Sequence, residues 1–154
     1  MVQVRLATTD DAATIARIHR EARREAMPYL PHLHSDEDTV AWVREIVLPA
    51  QDVWVAVLGE RIIGYVAING ETVAGLYVDP CFQRRGVGSA LLRLAMDRSG
   101  ATLDLWTFQR NLHARRFYEA HGFRAVELTD GASNEEREPD VRYRWTRQGD
   151  HSPA

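Results

Sequence analysis

The sequence predicts a mixed α/β domain, and three observations carry that expectation. Two stretches near the N-terminus place apolar residues at helical spacing. The middle of the chain then switches to strand-like runs joined by tight-turn dipeptides. From Leu76 onward, LYVDPCFQRRGVGSALL reads as a buried strand, a basic loop, a glycine pair and an apolar helix.

Val2, Val4 and Leu6 alternate with polar residues and mark a first strand. Asp10 or Asp11 can cap a helix that carries Ile15, Ile18 and Ala22 on one face. Pro28 and Pro31 interrupt it, leaving MPYLPHLH as a loop. Ser35 opens a second helix with Val40, Val43 and Val47 as its apolar stripe. DVWVAVL and RIIGYVAI are strands joined at Gly59-Glu60, and Asn69-Gly70 turns the chain into ETVAGLYVD. The helix after Gly88 points Val87, Leu91, Leu94 and Ala95 inward and stops near Gly100. ATLDLWTF is the next strand. A helix from Asn111 to His121 follows, closed by Gly122 where a left-handed residue is wanted. FRAVEL and VRYRW complete the sheet, separated by a polar, acidic loop from Thr129 to Asp140. Residues 1–146 read as one domain, and 147–154 as a flexible C-terminal tail.

Composition narrows the function classes. No apolar run approaches the roughly eighteen residues that cross a bilayer, and the N-terminus lacks the layout of a signal peptide, so no membrane partner is expected. The single cysteine, Cys81, forms no internal disulfide, which makes a reducing cytoplasm the default. A formal net charge of −3 argues against a dedicated nucleic-acid binder. All 19 basic residues are arginine. Chemistry that needs a lysine, whether a P-loop ammonium or a Schiff base, is therefore excluded.

Three kinds of phosphate loop resemble the stretch after Leu76. A Walker A loop requires GxxxxGK and fails for want of a lysine. A dinucleotide fingerprint requires GxGxxG in a tight turn directly after a strand. Here Ser89-Ala90-Leu91 stands where the third glycine belongs, and the loop is long. The third pattern, Gln/Arg-x-x-Gly-x-Gly after Val-x-Pro, matches Gln83-Arg84-Arg85-Gly86-Val87-Gly88 behind Val78-Asp79-Pro80. Glycines allow close backbone approach to a pyrophosphate, and the N–H groups that open the helix point at it.

This third pattern resembles the acetyl-coenzyme A loop of the GNAT (Gcn5-related N-acetyltransferase) superfamily. The segment Asn111-Leu112-His113-Ala114-Arg115-Arg116-Phe117-Tyr118-Glu119-Ala120-His121-Gly122-Phe123 is similar to that family's Asn-x-x-Ala-x-x-Phe-Tyr-x-x-x-Gly-Phe. The element order agrees as well. The resemblance implies the acyl-CoA N-acyltransferase fold. That fold is a mostly antiparallel twisted sheet of about seven strands, splayed at the coenzyme site and flanked by about four helices. It also implies acetyl-CoA as co-substrate, an amine acceptor and a homodimer.

By the same resemblance, Leu76, Tyr77 and Val78 pair with pantetheine, and the Leu76 amide faces the thioester carbonyl. Gln83, Arg84, Arg85, Gly86, Val87, Gly88 and Ser89 surround the phosphates, Asn111 holds the coenzyme arm and Arg115 reaches the phosphates. Tyr118 is the general acid for the leaving thiolate. The general base is Glu71, another residue or a water chain.

The acceptor pocket is expected from MPYLPHLH and from the acidic loop, with Tyr29, His32, Glu135 and Glu136 as candidate contacts. An acidic loop suits a cationic amine. His32 and His34 have ligand-like spacing, but no neighbouring cysteine or acidic cluster completes a site, so no metal is expected. Direct acetyl transfer to a small primary amine is the leading expectation. A protein N-terminus or side chain as acceptor, and a non-catalytic acyl-CoA sensor, stay open.

Overall fold

The computed structural model describes residues 1–148; of the expected tail, 149–154 lie outside the described residues. The chain begins with β1 (Val2–Leu6), a 3₁₀ turn (Thr9–Asp11) and α1 (Ala12–Ala26). Next, α2 (Asp36–Trp42) continues through a π-helical turn (Val43–Val47) into α3 (Leu48–Ala50), which together make one helical rod. A meander of β2 (Asp52–Leu58), β3 (Arg61–Asn69) and β4 (Thr72–Val78) leads through a 3₁₀ turn (Pro80–Phe82) to α4 (Val87–Arg98). Then come β5 (Thr102–Phe108), α5 (Leu112–Ala120), β6 (Arg124–Thr129) and β7 (Asp140–Thr146). The seven strands form one sheet in the order β1-β2-β3-β4-β5-β7-β6, antiparallel throughout except between β4 and β5.

Local chemistry explains most boundaries. The Ser35 hydroxyl accepts from the Asp38 amide and caps α2. Asp11 does not cap α1 with its side chain. It closes a capping box with Thr8 around the preceding turn and accepts from both terminal nitrogens of the Arg5 guanidinium. The π turn follows from Pro49, which has no N–H to offer the Glu45 carbonyl; the Leu48 amide instead reaches back five residues to Val43. Asp36 to Ala50 is therefore interrupted where the sequence predicts an even helix.

Helices cover both faces of the sheet. On one face, Ile15, Ile18, Val43 and Val47 pack against Val53, Val55 and Tyr65. On the other, Val87, Leu91, Leu92 and Ala95 of α4 pack against Val66, Leu103, Leu105 and Tyr143. Leu92 is fully buried where Leu94 is predicted to be, and Leu94 packs at the margin. With helices on both sides, β3 is buried from Ile62 to Ile68, so its apolar run does not alternate. Among the described residues no helix is long and apolar enough to cross a membrane.

Candidate functional site

The site is made by a sheet that comes apart. Parallel β4 and β5 pair only at Thr72 with Asp104 and Val73 with Leu105, with the Asp104 amide donating to the Glu71 carbonyl at 2.8 Å. Beyond Val73 the strands diverge, because β5 stays paired with β7 along its whole length. The gap is a cleft of about 1010 Å³. Val73 to Val78 form one wall and Leu105 to Phe108 the other, with the start of α4 at one end and α5 beneath. In the middle of a sheet, β4 thus presents backbone with no strand partner on its β5 side, which calls for a ligand or water.

The loop between β4 and α4 is anchored by a buried carboxylate. Asp79, 1% exposed, accepts from the Cys81 amide at 3.0 Å and from Arg17 and Arg61 at 3.4 Å each. Burial pushes its pKa up, but the Cys81 amide and the two guanidiniums outweigh that, and the net shift is downward. The backbone turns left-handed at Arg84 (φ 65°) and again at Gly86 (φ 82°), then enters the helix. Gly86 holds the N-cap position and has no side chain to cap with, so the amides of Val87, Gly88 and Ser89 are left free of side-chain and intrahelical partners. An added Cβ on Gly88 would lie 3.4 Å from the Phe117 ring, so glycine there lets α5 close against the helix start.

Of the residues singled out from sequence, Leu76, Tyr77, Val78, Gln83, Arg84, Gly86, Gly88, Ser89, Asn111 and Tyr118 line the cleft. Val87 sends its side chain into the core, leaving only backbone at the site. The Arg85 guanidinium lies 5.3 Å over the Phe82 ring and outside the lining. Arg115 turns inward, donating to the Tyr143 hydroxyl at 3.0 Å and the Gln109 carbonyl at 3.3 Å. Asn111 uses its Oδ1 to cap α5, accepting from the Ala114 amide at 3.2 Å. Glu71 is exposed in the turn before β4 and lines no part of the cleft. Tyr118 is 9% exposed between Phe117, Phe123 and Tyr143. Burial, with Tyr77 nearby, pushes its pKa above the ordinary tyrosine range, and its hydroxyl makes no hydrogen bond among the described residues.

A second cavity, of about 420 Å³, adjoins the first between α1, the loop after it, α2 and the β6–β7 loop. Arg23, Met27, Ala74, Tyr77 and Glu136 line both. His32, Glu135 and Glu136 face this cavity as expected, and His34 is hydrogen-bonded to Glu135, joining the two loops. Tyr29 lines neither cavity: its ring lies 3.7 Å beneath the Arg110 guanidinium and its hydroxyl is buried without a partner among the described residues. His19 was not singled out from sequence, although it falls four residues after Ile15 on the apolar face of α1. Its Nδ1 sits 2.9 Å from the Tyr65 hydroxyl, and its ring lies against Tyr77 and Trp42. Burial, reinforced by Arg23 and Arg20, pushes its pKa down to about 3, so it is neutral near pH 7.

Comparison with known proteins agrees with this geometry. The YjaB protein of Escherichia coli, in its apo form, superposes with a TM-score of 0.78 at 20% identity, covering 94% of this chain and 97% of its own. The yncA protein of Salmonella typhimurium, a putative acetyltransferase solved with its cofactor acetyl-CoA, superposes with a TM-score of 0.73 at 18% identity, covering 100% and 98%. In sequence, the peptidyl-lysine N-acetyltransferase YiaC of Escherichia coli (strain K12) is 30% identical over 123 residues, 70% of this chain and 84% of the relative. Residues 49–125, from the end of the α2–α3 rod to the second strand residue after α5, match the family described as the acetyltransferase (GNAT) domain. On that match and that identity, the chain belongs to the GNAT acetyltransferase family.

Proposed function

We propose that the protein transfers the acetyl group of acetyl-CoA directly to a primary amine in a ternary complex, without a covalent enzyme intermediate. The observation that carries this is the opening between β4 and β5, with free helix-start amides at one end and the Tyr118 hydroxyl beside it. The amides of Val87, Gly88 and Ser89, with the positive end of α4, suit the diphosphate, and Gln83 and Arg84 flank them. The bare edge from Leu76 to Val78 suits the pantetheine amides, and the Leu76 N–H is the proposed donor to the thioester oxygen as it gains charge. Attack by the amine nitrogen forms the C–N bond. Breaking the C–S bond leaves a thiolate, to which Tyr118, kept protonated by burial, supplies the proton.

The amine must shed a proton first. Glu136 lines both cavities whereas Glu71 lines neither, so Glu136 is the better-placed carboxylate to receive that proton, through water. The acceptor occupies the 420 Å³ cavity, whose size suits a small molecule. A lysine side chain on a peptide is the second reading, favoured by the name of the YiaC relative. Calorimetry with acetyl-CoA followed by thiol release across amines, amino acids, polyamines and lysine peptides tests both. Absence of acetyl-CoA binding would sink the proposal. Turnover with lysine peptides alone would replace the small-molecule acceptor, and binding without turnover on any acceptor would favour a sensor.

A further inference from the structure

His121 is hydrogen-bonded to Ser89, which lines the cleft, and the proposed transfer does not use that side-chain pairing. His121 sits at the C-terminal end of α5, with Nδ1 2.8 Å from the Phe117 carbonyl oxygen and Nε2 3.1 Å from Ser89 Oγ. A carbonyl oxygen only accepts, so Nδ1 carries a hydrogen whatever the charge on the ring. Two arrangements then remain at Nε2. In the neutral ring, Nε2 accepts and the Ser89 O–H is committed to it. In the imidazolium, Nε2–H donates to Ser89 Oγ and the hydroxyl hydrogen is free for another acceptor.

That freed hydrogen has an obvious destination. Ser89 is the third residue of α4, lines the cleft and stands among the uncapped amides. We propose that anion binding at this helix start is coupled to protonation of His121, with Ser89 as the link: the bound diphosphate accepts from the Ser89 hydroxyl, and the imidazolium holds that hydroxyl in place. This rests on the reading that the coenzyme diphosphate lies in the cleft. His121 is thus a positioning residue for the donor.

The surroundings make such a coupling strong. The Phe117 ring lies tilted against His121 with centroids 4.6 Å apart, and its carbonyl belongs to the negative end of α5. Other charged groups on the packed elements are Arg93, Asp97 and Arg98 on α4, Arg84 and Arg85 in the loop, Arg115 and Arg116 on α5, and Arg124 and Glu127 on β6. Glu119 is engaged by the Tyr143 hydroxyl, and Tyr118 is protonated. No carboxylate forms an ion pair with His121 among the described residues.

The test is calorimetric titration with acetyl-CoA in two buffers of different ionisation enthalpy, between about pH 6 and about pH 8.5, where histidine changes charge. Net proton uptake is expected, with Kd tighter by about fivefold or more at the acid end, the lower bound of ordinary site coupling. His121→Gln and Ser89→Ala should each abolish the uptake and flatten the pH dependence. Dephospho-coenzyme A keeps the diphosphate but lacks the 3′-phosphate, so uptake must persist with it. In the wild-type protein, the His121 Cε1–H resonance must titrate at higher pH once the ligand is bound, a readout independent of how the variants fold. Uptake that survives His121→Gln, appears only with the 3′-phosphate, or is absent while the ligand binds overturns the coupling alone. No binding at any pH overturns the coenzyme reading and the coupling with it.

Discussion

Arg23 and Glu136, 113 positions apart, form a 3.0 Å ion pair at the junction of the two cavities, and the other Arg23 amino group donates to the Tyr77 hydroxyl at 3.2 Å. Burial opposes the charge on Arg23, but Tyr77 and Glu136 outweigh it and raise its pKa. An amine held in the 420 Å³ cavity as proposed would meet this pair on its way to the cleft. Glu136→Gln should lower kcat by at least about tenfold, as loss of a proton acceptor does, while acetyl-CoA Kd stays within about twofold. Unchanged kcat across the acceptor panel would remove Glu136 from the proton path.

Tyr118→Phe should cut kcat by about 10²–10⁴-fold with little change in acetyl-CoA affinity, because it removes the hydroxyl and leaves the packed ring. Burial holds this hydroxyl protonated beyond the ordinary tyrosine range, so the wild-type kcat profile should show no alkaline loss from it below about pH 10. Steady-state kinetics beside a binding isotherm check both statements.

His19 should make the protein acid-sensitive before its carboxylates do. Its folded pKa is about 3 against 6.5 for the free side chain, so below 6.5 the unfolded chain takes up a proton that the folded one refuses. The stability gained by keeping His19 neutral is full above 6.5 and declines as pH falls toward 3. Asp11, Asp79 and Asp104 have lowered pKa values and lose their contributions only further into acid. Thermal denaturation from about pH 6.5 to about pH 4.5 should show a falling Tm, and His19→Gln should flatten that slope. An equal slope in the variant would assign it elsewhere.

Asp79→Asn should weaken both fold and donor binding. It keeps a group able to accept from Cys81 but strips the charge that faces Arg17 and Arg61. A loss of about 1–3 kcal/mol is expected from denaturant titration, together with weaker acetyl-CoA binding, since the loop leading to α4 loses its anchor. Full affinity in a destabilised variant would show the anchor to be structural only.

Element order, the turns at Gly59-Glu60 and Asn69-Gly70 and the left-handed Gly122 were legible because each rests on local chemistry. The loop motif and the α5 motif also pointed to one part of the cleft lining, from Leu76 to Ser89 and at Asn111 and Tyr118. What escaped depends on distant partners. Arg115 donates to the Tyr143 hydroxyl, 28 positions on, and Asp79 is fixed by Arg17, 62 positions back. The inner face of α1 at His19 was readable as a stripe, but a polar ring on that stripe has meaning only once Tyr65, Tyr77 and Trp42 are around it. The short reach of the β4–β5 pairing has no local signature, because strand divergence is decided by what each strand holds on its other side.

That divergence also has a mechanical side. Four strands form one leaf and three the other, and the spine between them is two residue pairs, Thr72 with Asp104 and Val73 with Leu105. The cleft begins at that spine, with Val73 and Leu105 in its lining, and opens away from it, so a ligand in the gap touches both leaves. Whatever fills the gap therefore braces the leaves against each other. The α4 core already joins the leaves on one face, so such a brace would add to a link the fold itself supplies.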